Sequence, residues 1–172
     1  MSNFPLSLRC ERRFLSLIGF FCILLLVSAL YLQYVQHEDP CPLCILQRYF
    51  FALIAIFSFI ATGMQRWRWV LLLESLIALS AIAGGGIAAH HLIIQLNPGF
   101  SCNFDAMEAL VERLPFTKFF PWIFEVKGEV GCDMVYPAII GIPLPGWALL
   151  SFILILITVF ISIFRHRGQF YK

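Results

Sequence analysis

Charged side chains are scarce in this sequence. Only 13% of its 172 residues are Asp, Glu, Lys or Arg, about half the share of an ordinary soluble domain. With 60% hydrophobic residues and a mean hydropathy of +0.86, the chain carries more apolar surface than a small soluble core can hide. A net charge of +2 is too small to hold a phosphate backbone, which excludes a nucleic-acid-binding module. There is no polar low-complexity tract to suggest disorder and no internal repeat. No Ser/His/Asp set, glycine-rich phosphate loop or carboxylate pair stands out. What remains is an integral membrane protein with little mass outside the bilayer.

A spanning helix needs about 20 mostly apolar residues. Four stretches qualify, at about 14–36, 45–65, 70–96 and 145–164. The expected fold is therefore all-α, a single membrane domain built as a four-transmembrane-helix bundle. Its outer loops are about 37–44 and 97–142. The first stretch follows basic residues and contains Val27-Ser28-Ala29, as a signal peptide would. Its apolar run is longer than a signal h-region, so it reads as a retained span. Arg9, Arg12 and Arg13, then Arg66 and Arg68, then Arg165, Arg167 and Lys172 all fall on one side of four crossings. By the positive-inside rule that side, with both termini, is cytoplasmic. Glu38, Asp39, Asp105, Glu108, Glu112, Glu125, Glu129 and Asp133 fall on the other.

The long outer loop has structure of its own. Met107, Leu110, Val111 and Leu114 recur at helical spacing, and Pro115 is expected to end that helix. Phe116, Phe119, Phe120, Trp122 and Phe124 follow. This pattern suits a short helix in the membrane interface, where aromatic rings settle among the headgroups; the alternative is a folded loop that packs on the outer helix ends.

Six cysteines divide into two kinds. Cys22 lies in the first span and reads as a small hydrophobe; Cys10 lies on the reducing side and reads as a thiol. Cys41, Cys44, Cys102 and Cys132 all fall on the outer side, where disulfides persist if that side is a periplasm. Cys41-Pro42-Leu43-Cys44 opens the second span. The free N–H groups and dipole of a helix N-terminus favour a thiolate, and Pro42 suits a first helical position. The pair reads as a reactive disulfide rather than a staple. Cys102 and Cys132 form the second pair, open to attack by an external thiol through a mixed disulfide; the alternative is a plain loop staple. A zinc site from all four is disfavoured: structural sites present closely spaced ligand pairs, and one pair here is widely separated.

Arg48 stands one helical turn after Cys44 and faces the same way. A charge just inside the hydrocarbon is a functional hypothesis by default; it can stabilise a thiolate at Cys44 or a negative oxygen on a bound redox ligand. The alternative is snorkelling to the headgroups. His90 and His91 lie toward the outer end of the third span, with Gln95 on the face of His91. A histidine there can donate to a ligand carbonyl or shuttle a proton. Gly84-Gly85-Gly86 below them permits close helix approach. Glu74, near the cytoplasmic end, is expected to be wetted or paired with Arg66 or Arg68.

Four spans, a Cys-x-x-Cys opening the second, Arg48 one turn on, and a second cysteine pair before the fourth span together resemble the DsbB family. The stretch from Cys41-Pro42-Leu43-Cys44 to Gln47-Arg48 is the most specific part. The resemblance implies a bacterial inner-membrane thiol oxidase that recharges a periplasmic DsbA-type oxidase and passes the electrons to the membrane quinone pool, ubiquinone or menaquinone. It implies that Cys102 is attacked by the reduced partner. Cys132 then attacks the Cys41–Cys44 disulfide, and Cys44 is left as the thiolate beside the quinone. Arg48 resembles the quinone-site arginine, and His91 is the candidate second quinone-site residue. A monomer without a metal is the simplest expectation. Three other readings compete. A transmembrane conduit carrying electrons outward would need reactive cysteines on the cytoplasmic side, where only Cys10 lies. A scaffold with purely structural disulfides predicts that Cys44→Ser and Arg48→Ala destabilise the protein without touching any redox rate. A vitamin K epoxide reductase-like enzyme would place its membrane Cys-x-x-Cys after the loop cysteines, and here it comes first.

Overall fold

The computed structural model describes residues 6–36, 40–97, 109, 111, 113, 115–124 and 141–170. Four long helices account for most of them: α1 (Leu6–Val35), α2 (Pro42–Gly63), α3 (Trp67–Leu96) and, after the short α4 (Pro115–Phe119) and α5 (Pro121–Phe124), α6 (Leu144–Phe170). Each long helix contains a stretch apolar enough to cross a membrane, of 21 to 29 residues. Proline marks three of the starts. Pro42, Pro115 and Pro121 each take the first position of a helix, where the missing N–H costs nothing and the fixed φ is already helical. Pro115 thus stands past the turn at Arg113, where the periodicity predicts that the earlier helix has ended, and also opens the next helix. Of residues 105–114, only Ala109, Val111 and Arg113 are described; Ala109 and Val111 are helical.

α2 is the centre of the bundle. It packs along both α1 and α3, and α3 packs along α6. Half of the α2 spanning window is buried, against 17% in α6. The outward faces are lined with large apolar side chains, among them Leu17, Phe20, Leu24, Leu79, Ile82, Leu154 and Phe164. Such a surface is stable only against lipid.

Two apolar clusters hold the helices. The larger runs through the bundle and includes Leu15, Cys22, Ile54, Ile77, Ala88, Phe152 and Val159. Cys22 is fully buried there, the small hydrophobe its position suggests. Phe51 of α2 and Phe152 of α6 stack face to face with centroids 4.1 Å apart. A Cβ on Gly84 would lie 2.5 Å from the Phe152 ring, so this glycine lets α3 and α6 close on the stack. Gly86 has nothing within 4 Å and no comparable role. Near the end of the bundle opposite Cys41, Glu74 is fully buried and accepts a hydrogen bond from Ser162 Oγ at 2.8 Å. It is not wetted, as its position near the span end suggests; Arg66 and Arg68 are exposed.

The smaller cluster sits at the opposite end of the bundle. Cys41, Leu43, Ile45 and Leu46 of α2 meet Ile94 of α3 and, from the outer loop, Val111 and Phe124. The described loop residues Val111, Ile123 and Phe124 thus pack onto the helix ends. Tyr34 Oη donates to Trp122 O at 2.7 Å, Thr117 Oγ1 donates to Val111 O at 2.8 Å, and the Tyr49 and Phe124 rings meet edge to face. Phe119, Phe120 and Trp122 remain exposed beside them, placed as interfacial aromatics would be.

Candidate functional site

The start of α2 positions the reactive sulfurs. Cys41 is the N-cap, in extended conformation, and its Sγ accepts the Cys44 N–H at 3.3 Å. The helix N-terminus therefore points an unsatisfied donor at sulfur, as the Cys-Pro-x-Cys pattern implies. Cys41 Sγ donates to Cys44 Sγ at 2.9 Å, and both stand as free thiols. The hydrogen bond to Cys44, and then burial, hold the Cys41 thiol well above its ordinary range. Cys41 is fully buried, and Cys44 is partly exposed.

Cys44 is exposed to a cavity of about 410 Å³, within the range of small-molecule sites. α2 forms its back through Cys44, Gln47, Arg48 and Phe51. α1 forms one wall through Leu25, Ala29 and Leu32, and α6 the other through Pro145, Trp147 and Ala148. The walls are mostly apolar, with Ser28 on α1, Gln36 just past its end and Ser151 on α6, and α2 adds Gln47 and Arg48 within four residues of Cys44.

Arg48 is 8% exposed and does not reach out toward the headgroups. Its Nη1 donates to Gln33 Oε1 at 2.6 Å and to Ile123 O at 3.3 Å, and its Nη2 to Ala29 O at 3.2 Å. These acceptors come from α1 and from the outer loop, so the guanidinium joins three parts of the chain at the cavity edge. Gln33 is 6% exposed and carries no signal in the sequence beyond being a polar residue in a spanning stretch.

His91 is fully buried. Its Nε2 lies 3.7 Å from Cys41 Sγ and 3.5 Å from Gln95 Nε2, and its Nδ1 lies 3.3 Å from Gln47 Nε2. It does not line the cavity and reaches that space only through Gln47 and the sulfurs. The preference for His91 over the exposed His90 rests on Gln95, and that contact is present. Gln47, which has no role in the sequence beyond its place in the motif, is the link between imidazole and cavity. Among the expected site residues the structure therefore joins Cys41, Cys44, Arg48 and His91. Cys102 and Cys132 lie outside the described residues.

Comparison with known proteins places the chain in a family. The family described as "Disulfide bond formation protein DsbB" matches residues 11–162. Disulfide bond formation protein B of Burkholderia pseudomallei (strain K96243) is 57% identical over 169 residues, covering 98% of this chain and 99% of the relative. Disulfide bond formation protein B 1 of Pseudomonas fluorescens (strain Pf-5) is 45% identical over 171 residues, covering 99% of this chain and all of the relative. By family match, by near-complete coverage and by its four-helix membrane fold, the chain belongs to the DsbB family of membrane oxidoreductases that act in disulfide bond formation.

Proposed function

We propose that the chain is a thiol:quinone oxidoreductase of the bacterial inner membrane. It reoxidises a periplasmic DsbA-type dithiol oxidase by disulfide exchange and delivers the electrons to a membrane quinone. The carrying observation is the placement of Cys44 on the wall of an apolar cavity between α1 and α6, with Arg48 and Gln47 beside it. Basic residues at the end of the bundle opposite Cys41 support a periplasmic position for the sulfurs.

The cavity suits a quinone. Its apolar walls accept a ring and a prenyl chain, and the Gln47 amide and Arg48 guanidinium supply donors for a carbonyl oxygen. A quinone held there supplies a two-electron, two-proton acceptor. The protein's own part is the delivery. Reduced partner attacks Cys102, and the disulfide to Cys132 opens. Cys132 then attacks Cys41, and Cys44 leaves as a thiolate at the cavity wall. The partner's second thiol then displaces Cys102 and leaves with its own disulfide, and Cys102 displaces Cys41 from Cys132, so Cys102–Cys132 is restored and Cys41 and Cys44 are left as the dithiol that holds the two electrons and two protons for the acceptor. Arg48 holds positive charge beside the departing sulfur. Its bonds to Gln33 and Ala29 fix it there. His91 Nε2 faces Cys41 Sγ and can hold the proton that the Cys41 thiol gives up.

The test uses protein purified in detergent, excess ubiquinone and a reduced DsbA-type protein, with quinone followed by its ultraviolet absorbance. Quinone is expected to disappear in step with partner thiols, and Cys44→Ser is expected to stop it while the helical circular dichroism persists. Folded protein that turns over neither ubiquinone nor menaquinone contradicts the proposal.

A further inference from the structure

We propose that the reduced Cys41–Cys44 pair and His91 form a binding site for a soft cation of the Zn²⁺ or Cd²⁺ class, and that its occupation arrests the chain in the reduced state. The binding needs only two thiols and an imidazole. It stands whether or not a quinone is the electron acceptor.

The ligand set comes from two helices. Cys41 Sγ, Cys44 Sγ and a ring nitrogen of His91 all lie within 4.8 Å of one another. Zn–S bonds of about 2.3 Å and Zn–N bonds of about 2.0 Å in a tetrahedron place ligand atoms roughly 3.5–3.8 Å apart. The 3.7 Å from Cys41 Sγ to His91 Nε2 already meets that spacing. The two sulfurs, at 2.9 Å, must part by somewhat less than 1 Å. Cys44 can provide this, because its side chain borders the cavity. The same opening leaves a fourth coordination position for water.

The donor types select the ion. Thiolate and imidazole suit zinc and its heavier relatives, whereas Mg²⁺ and Ca²⁺ require oxygen ligands. A coordinating Nε2 carries no proton, so the proton moves to Nδ1, which faces the Gln47 amide. A half-turn of that amide presents its oxygen to Nδ1–H, the outer contact that holds a metal-bound imidazole in place. Both thiol protons leave to solvent on binding, and no electron moves. The disulfide form has lost two of its three ligands and cannot bind. The metal-bound form has both sulfurs engaged and cannot reform the disulfide. This set differs from the four outer cysteines whose spacing argues against zinc. His91, distant in sequence, is what completes it.

The test uses the full-length Cys102→Ser/Cys132→Ser chain in detergent, reduced, freed of reductant and kept anaerobic. Cd²⁺ alone is added, and the thiolate-to-metal charge-transfer band and bound metal are measured. One Cd²⁺ per chain is expected, undisturbed by excess Mg²⁺. Cys44→Ser, which keeps size and shape, is expected to abolish the band. His91→Gln is expected to weaken binding by at least about tenfold, and Gln47→Ala by about tenfold. The oxidised chain is expected to bind none. In the wild type, Zn²⁺ added to the reduced protein is expected to block reoxidation until a chelator is supplied. Absence of the band in the reduced chain, equal binding by the oxidised chain, or unchanged affinity in both His91→Gln and Gln47→Ala overturns the proposal.

Discussion

At the level of Gly84 the bundle is closed to contact: Phe51 and Phe152 stack at 4.1 Å and the glycine gives them room. Toward the outer end, between α1 and α6, it holds a cavity of about 410 Å³ with Cys44 on its wall. Phe51 belongs to both regions, as floor of the cavity and as half of the stack. The contrast is one of polar groups. Below, among the described residues, a single buried carboxyl is matched by a hydroxyl from α6. Above, Gln33, Gln47, Arg48 and His91 are all buried and all joined to the sulfurs or to one another's neighbours. Buried polar groups in a membrane are costly unless satisfied. The protein carries most of its long polar side chains of this kind at the end where its chemistry is proposed.

The contrast can be broken from either side. The largest expected effect is at Arg48. Arg48→Ala should slow quinone reduction on the order of a hundredfold, the usual cost of losing a donor at a developing negative charge, while exchange with the reduced partner stays near wild type. Stopped-flow absorbance of the quinone, set beside a gel assay of partner thiols, separates the two steps; equal loss of both would remove the cavity-side role. Arg48→Lys should recover only part of the rate, because an ammonium cannot span Gln33 and Ala29 as the guanidinium does. Next in size, Gly84→Ala should destabilise the bundle by about 1–3 kcal/mol through overpacking against Phe152. Gly86→Ala should be neutral or stabilise by up to about 1 kcal/mol through helix propensity. Unfolding in mixed micelles measures both, and equal effects would show that Phe152 yields. The smallest change is expected for Ser162→Ala. It should cost about 0.6 kcal/mol, typical of a hydrogen bond between membrane helices, and leave quinone turnover unaltered.

Much of this architecture is legible in the amino-acid sequence. Hydropathy and the arginine pattern give four helices, since a bilayer demands long apolar runs and leaves few alternative elements. The Cys-Pro-x-Cys and the Arg one turn later give the reactive end of α2, because helical spacing alone puts Cys44 and Arg48 on one face. The partners on other elements are not legible in the same way. Gln33 is one polar residue among the apolar residues of α1, and only the packing of α1 on α2 brings it to Arg48. His91 is singled out by its neighbour Gln95, but its approach to Cys41 depends on the register of α3 against α2. Glu74 lies near a span end, where snorkelling to water is the default; the close fit of α3 and α6 buries it against Ser162 instead. Pro115 reads as a stop, and the turn at Arg113 agrees with that; that it also starts the next helix is not legible, because the same missing N–H serves both.

The most direct test of the cavity as the exit for electrons is photoaffinity labelling with a prenylated azidoquinone in membranes, mapped by mass spectrometry. Cross-links are expected within residues 25–36 of α1 and 144–151 of α6, and unmodified quinone should compete them away. Labelling elsewhere in the bundle, or labelling that excess quinone does not reduce, would contradict the placement of the acceptor beside Cys44.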